Sequence, residues 1–160
     1  MNLRLHIWPL LFVVALTSCS PAKNESTSKS ESEEYEIVTK QEINLADFFL
    51  QEEEDYLVFC HSDTCQHCKE IIGDVAAFAE DNIAKTYFLC VSKEGNHLNK
   101  VSVDEITIGV SDLEDLCYAG TPTIFEVEKG VTTANIPGKD KCLTFLNELR
   151  KNDKEEISIA

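Results

Sequence analysis

The amino-acid sequence predicts an α/β fold in which a central mixed sheet is flanked by helices on both faces. Segments of strand character alternate with segments of helical periodicity, in the order β-α-β-α-β-α-β-β-α, and such alternation argues for a mainly parallel sheet. The last two strand segments are joined by Lys129-Gly130, a hairpin signal that adds antiparallel strands at one edge. Over 160 residues, a hydrophobic content of 43% is that of an ordinary globular protein, enough for one core.

The elements follow in order. Residues 35–40 are expected to form a short first strand. Residues 42–51 place Ile43, Ala46, Phe49 and Leu50 at helical spacing, so a helix is predicted there. Residues 56–61 are a continuous apolar run, which suits a strand buried on both faces. Residues 65–82 read as a helix with Ile71, Ile72, Val75, Phe78 and Ala79 on one stripe. Residues 86–91 form another β-branched and aromatic strand, and residues 93–99 a loop. Residues 110–118 are expected to be partly helical, with Ser111 as N-cap and Glu114 three residues on. Residues 123–128 and 131–135 are the hairpin strands. Residues 139–151 close with a helix carrying Leu143, Leu146 and Leu149.

A targeting segment precedes this domain. Residues 1–4 are short and positively charged, and residues 7–16 are apolar but too few to cross a hydrocarbon core comfortably. Together they fit a secretory signal. The signal ends in Leu16-Thr17-Ser18-Cys19, which resembles the bacterial lipobox. That resemblance implies a lipoprotein signal peptide over residues 1–18, cleavage before Cys19 and a diacylglyceryl thioether on its sulfur. Two or more acyl chains would hold the protein on a bilayer, where one binds only marginally. Residues 19–34 then read as the lipidated cysteine and a disordered tether, since their Ser, Glu, Lys and Asn cannot bury enough surface to offset ordering. The folded domain is expected over residues 35–160.

The net charge of −15 argues against a nucleic-acid partner, because phosphate backbones attract Lys and Arg. Acid is concentrated at Glu31, Glu33, Glu34 and Glu36 and again at residues 52–55, and reads as a solvated stalk and face.

Chemistry is concentrated at Cys65-Gln66-His67-Cys68, where the central strand runs into a helix. The thiolate is the reactive form of cysteine, and the free N–H groups of a helix start stabilise negative charge. A spacing of three puts both sulfurs on one helix face. Cys65 can therefore attack a partner disulfide, and Cys68 can resolve the mixed disulfide. Zinc ribbons and copper carriers also use this spacing. However, no second ligand cluster follows to complete a metal site from Cys65, Cys68 and a histidine, so no metal is expected.

Downstream stands Gly120-Thr121-Pro122-Thr123, just before a strand. The pair of motifs resembles the thioredoxin-like family over residues 35–150. The resemblance implies a thioredoxin-like fold and a cis peptide bond between Thr121 and Pro122. It also implies that Pro122 faces the cysteine pair, with backbone beside it pairing with a bound substrate segment. Gly138 falls where the family has a glycine near the same groove. No cofactor is implied beyond a redox-active Cys65–Cys68 disulfide.

The sequence departs from the family's reducing thioredoxins in three places. Thr64 replaces a tryptophan, Phe59 replaces a buried acid, and the dipeptide between the cysteines is Gln-His. A histidine before the second cysteine is similar to protein disulfide isomerases and bacterial disulfide-forming enzymes, so His67 is expected to tune Cys65. His61 reads as a packed polar residue rather than a proton shuttle.

Cys60, Cys90, Cys117 and Cys142 are expected to be buried thiols, with Cys117–Cys142 and Cys60–Cys90 as the alternative pairings. The function these features imply is extracytoplasmic thiol–disulfide exchange in exported proteins, on the oxidising or isomerising side. The site would lie at the outer face of a bacterial cell membrane. The alternatives are a membrane-tethered reductant for cytochrome or metal-site assembly, supplied by a membrane redox partner, and a non-catalytic metal-binding or adaptor lipoprotein.

Anchoring is directly testable. Cys19→Ala removes the lipidated sulfur, so the protein should leave the membrane fraction or remain unprocessed. A mature-length Cys19→Ala protein that stays fully membrane-bound would contradict the lipobox reading.

Overall fold

In the computed structural model, residues 31–159 are described. The sheet is nucleated by β1 (Asp55–His61), whose residues Tyr56 to Cys60 are all buried. Such a run must be covered on both faces, and every neighbouring element does part of that work. β2 (Thr86–Cys90) pairs with β1 in parallel, with Phe59 opposite Phe88 and His61 opposite Cys90. β5 (Thr123–Glu128) pairs antiparallel on the other side, with Cys60 opposite Thr123, and β6 (Val131–Pro137) completes the order β2-β1-β5-β6. The hairpin between β5 and β6 turns on Lys129 and Gly130, both at positive φ (50° and 77°), the backbone hand that two-residue hairpins require. A second, two-stranded parallel sheet joins β3 (Asn99–Lys100) to β4 (Cys117–Tyr118).

Helix α2 (Gln66–Glu80) connects β1 to β2 and presents Ile71, Val75, Phe78 and Ala79 to the sheet. Helix α3 (Lys139–Ile159) follows β6 and adds Cys142 and Leu146 to the same core, around Leu57, Phe59, Phe88 and Ile124. Burying one such Phe side chain fully is worth about 1.5–3 kcal/mol. The opposite face of the sheet carries Val58, Cys60, Leu89, Phe125 and Val127, covered by Phe48, Val110 and Leu116 from irregular segments. A parallel β-α-β unit, followed by an antiparallel hairpin and a last helix around a mixed sheet, is the thioredoxin-like α/β fold. Among the described residues, no helix is long and apolar enough to cross a membrane.

Four elements differ from the sequence expectation. Residues 35–40 were expected as a strand but lie in helix α1 (Glu31–Lys40). Its β-branched pair Ile37-Val38 has strand propensity, yet both side chains pack on the α2 core from a helix. This helix starts at Glu31, inside the stretch read as tether. Residues 42–51 were expected as a helix. Instead Gln41 to Ile43 runs extended along the free edge of β2, with Phe88 N–H donating to Gln41 O (3.0 Å) and Ile43 N–H to Phe88 O (2.9 Å). Only the 3-10 turn Leu45–Asp47 follows. The apolar spacing there serves the core without a helix: Phe48 is fully buried, and its carbonyl accepts from Tyr56 Oη at 2.6 Å.

Residues 110–118 contain no helix. Val110 N–H donates to Thr132 Oγ1 (3.0 Å), and Thr132 N–H donates back to Val110 O (2.8 Å). Asp112, not Ser111, caps the turn, accepting from Glu114 N–H at 2.8 Å. A local side-chain bond of this kind competes with helix formation. In the other direction, α3 runs beyond the expected end at Lys151 to Ile159.

Candidate active site

Both halves of the site stand at one end of the sheet. β1 ends at His61, and its antiparallel partner β5 begins at Thr123, immediately after Pro122. The chain leaves β1 through a short turn in which Cys65 N–H donates to Ser62 O (3.1 Å), and Cys65 then serves as the N-cap of α2. Its sulfur accepts the Cys68 backbone N–H at 3.1 Å. The helix start thus offers a hydrogen-bond donor to Cys65 and so favours its thiolate.

Cys65 and Cys68 are joined in a disulfide, with Cα atoms 5.3 Å apart. Their exposures differ. Cys65 is partly exposed, whereas Cys68 is only 2% exposed and turns into the molecule. An incoming sulfur can reach Cys65 and not Cys68.

The Thr121–Pro122 bond is cis, as the family resemblance implies. Pro122 is buried, and its carbonyl accepts the Gly138 N–H at 2.8 Å. Gly138 adopts φ +95°, which a side chain would strain, so glycine suits the point where β6 hands over to α3 beside Pro122. Thr121, Pro122, Gly138 and the exposed Val103 line a shallow groove of about 240 Å³.

His67 is exposed on the first turn of α2, its Nδ1 3.5 Å from Glu70 Oε2. The same carboxylate is held by Lys139 Nζ at 2.8 Å, an ion pair that ties α2 to the start of α3. Lys139, and after it His67, hold the Glu70 carboxyl below its ordinary value. Glu70 and Lys139 were not legible beforehand, because they lie 69 residues apart and neither belongs to a local pattern. Phe59 is fully buried, so its position offers no proton acceptor. The His61 ring stacks on Phe59 with centroids 6.0 Å apart, and burial pushes its pKa down. This agrees with a packed histidine.

Cys60, Cys90, Cys117 and Cys142 are free and buried, in agreement with the expectation of buried thiols. Cys60 and Cys90 cannot pair because their registers differ by one: Cys60 lies opposite Leu89 and Cys90 opposite His61. Adjacent strand positions point to opposite faces. Cys142 is directed at Ile136 O (3.3 Å), while Cys117 lies 3.5 Å from Thr107 Oγ1. Cys19 and residues 1–30 lie outside the described residues.

No protein-family model and no curated protein matches the chain. Among solved structures, the chain is similar to thioredoxin f2 of Chlamydomonas reinhardtii, at 13% identity over 67% of this chain and 93% of that one, with a TM-score of 0.46. It is also similar to thioredoxin f from spinach chloroplast in its short form, at 15% identity over 69% and 92%, with a TM-score of 0.49. The fold is thioredoxin-like, and it places the Cys65–Cys68 disulfide at the start of α2.

The buried thiols supply a pH test. Burial pushes Cys142 up from an ordinary 9.0 to about 11. Since the folded state raises this value, the associated stability is fully present below pH 9.0 and is lost as pH rises through about 11. In the reduced protein at about pH 8, near the ordinary thiol value, iodoacetamide should label Cys65 while sparing Cys142. Mass mapping that finds Cys142 labelled as fast as Cys65 would contradict its burial.

Proposed function

We propose that this chain is an extracytoplasmic thiol–disulfide oxidoreductase, anchored by lipid on Cys19, that exchanges disulfides in exported proteins on the oxidising or isomerising side. The observation that carries the exchange chemistry is the asymmetry of the pair. Cys65 is reachable at the N-cap of α2, and Cys68 is covered one turn further in.

In the oxidising direction, a substrate thiolate attacks the Cys65 sulfur. The Cys65–Cys68 bond breaks, and Cys68 leaves as a thiolate that takes up a proton. A second substrate thiolate then attacks the substrate sulfur of the mixed disulfide. The substrate disulfide forms, and Cys65 leaves as a thiolate facing the helix N–H groups. Two electrons have passed to the pair, and a membrane redox partner or another disulfide must remove them. Run backwards on a wrongly paired disulfide, the same steps reduce it, and a forward run on a different pair of substrate thiols completes an isomerisation with no net electron transfer. The groove at Thr121 and Pro122 is the place for the extended substrate backbone, and the carboxylate-rich surface disfavours nucleic acid.

Direction is supported by the helix start at Cys65 and by Phe59, which leaves no buried acid beneath the pair. One observation favours the alternative, a lipid-anchored reductant for cytochrome or metal-site assembly. The Glu70 carboxylate sits 3.5 Å from His67 and opposes its stabilisation of a thiolate.

A reduced, unfolded disulfide protein offered to the oxidised chain separates the roles of the two cysteines. Cys65→Ser should abolish substrate oxidation. Offered the same substrate with its disulfides formed, Cys68→Ser should accumulate a covalent complex, because the Cys65 thiolate displaces one substrate sulfur and no second cysteine resolves the bond; reductant should release it. Oxidation at the wild-type rate by Cys65→Ser, or a complex formed through another cysteine, would contradict the assignment.

A further inference from the structure

A cluster of three unlike donors lies at the same end of the sheet, outside the disulfide chemistry. Phe88 bridges in parallel to Glu42 on one side and to Phe59 on the other, and two residues further on Cys90 aligns with His61. Aligned residues of parallel strands point the same way, and a step of two returns to the same face. Glu42, His61 and Cys90 therefore converge from three neighbouring chain segments. One donor atom from each, a carboxylate oxygen, a ring nitrogen and a sulfur, lies within 4.8 Å of the other two.

We propose that Glu42, His61 and Cys90 form a site for a borderline divalent cation of the Zn²⁺ class. Three protein ligands of mixed N, S and O character, with a fourth position for water, match the donors that zinc takes in open sites. Tetrahedral ligands at ordinary zinc distances stand about 3.5 Å apart, so closing on the ion needs a contraction of roughly 1 Å. Asp63, whose Oδ1 is 3.6 Å from the Cys90 sulfur, is the next oxygen at hand.

Two further observations point to a cation. His61 Nε2 is buried and has no hydrogen-bond partner, a condition that a metal bond removes. The cluster also already draws in a positive charge. Lys93 Nζ lies 2.6 Å from the Glu42 carboxylate. The Lys93 side chain is 53% exposed, so it can swing into solvent when an ion replaces it. Loading then requires neutral His61, Glu42 as carboxylate and Cys90 as thiolate. The Cys90 thiol proton goes to solvent, and Lys93 leaves still protonated. Because Ser92 Oγ binds both Asp63 N–H (3.2 Å) and Asp63 Oδ2 (2.9 Å), the site adjoins the turn that presents Cys65.

The test uses the full-length protein in its oxidised state, so that Cys65 and Cys68 cannot ligate. Metal is first stripped with chelator, and Co²⁺ is then added as the probe. One equivalent should produce a thiolate-to-cobalt charge-transfer band, displaced by Zn²⁺. Cys90→Ser should abolish the band. Glu42→Gln, at an accessible edge, should weaken binding at least as much as the ~10–100-fold typical of losing an outer-shell partner. Lys93→Gln should tighten it by removing the competing cation. A double Cys65→Ser, Cys68→Ser protein should bind as wild type. Absence of the band in the wild-type protein would overturn the site. So would a band that survives Cys90→Ser, or one that disappears only when Cys65 and Cys68 are replaced.

Discussion

The donation of the Cys68 backbone N–H to the Cys65 sulfur, at 3.1 Å, is the contact on which the rest of the site depends. It exists because Cys65 occupies the N-cap of α2, and α2 is positioned by β1. That strand is buried from Tyr56 to Cys60, so its direction is fixed by cores on both faces. The turn from Ser62 to Cys65 then has little freedom, and the first cysteine emerges at the surface while the second is driven inward. The same strand sets the other half of the groove, since Cys60 lies opposite Thr123, and the cis Thr121–Pro122 bond immediately precedes that pairing partner.

Electrostatics around the pair are set by sparse charges. Phe59 removes the buried acid, and the His61 ring stacks on it with its pKa pushed down by burial. The polar groups at the helix start lie at the surface: His67, Glu70 and Lys139 form a short chain across α2 and α3. Exposed pairs of this kind are worth about 0–1 kcal/mol. The helix N–H groups, which cannot move away or be screened as easily, therefore dominate the environment of the Cys65 sulfur.

How much of this was legible depended on whether the deciding partner was local. The apolar run of β1, the 3.6-residue stripe of α2 and the Lys129-Gly130 turn carry their own conformations, and all three stand where the periodicity put them. The Cys65–Cys68 disulfide and the cis Thr121–Pro122 bond were legible because each is carried by a short motif. Residues 42–51 and 110–118 were misread because their backbones answer to distant partners, the free edge of β2 at Phe88 and the Thr132 backbone and hydroxyl. Helix α1 was misread because Ile37-Val38 satisfies strand propensity locally but packs on α2 from a helix. Glu70 with Lys139, and Glu42 with His61 and Cys90, are brought together only by the fold.

The central claim is that the Cys65–Cys68 pair exchanges disulfides and, with a thiolate favoured at the start of α2 and no buried acid beneath it, holds electrons better than a reducing thioredoxin does. Its reduction potential tests this most directly. The oxidised domain is equilibrated in a series of glutathione buffers, and the fraction of Cys65–Cys68 disulfide is read by alkylation and mass. The account predicts a potential clearly above thioredoxin's about −270 mV, with each 30 mV worth about 1.4 kcal/mol in favour of the dithiol. A value at or below about −270 mV would contradict it and would place the chain among reductants.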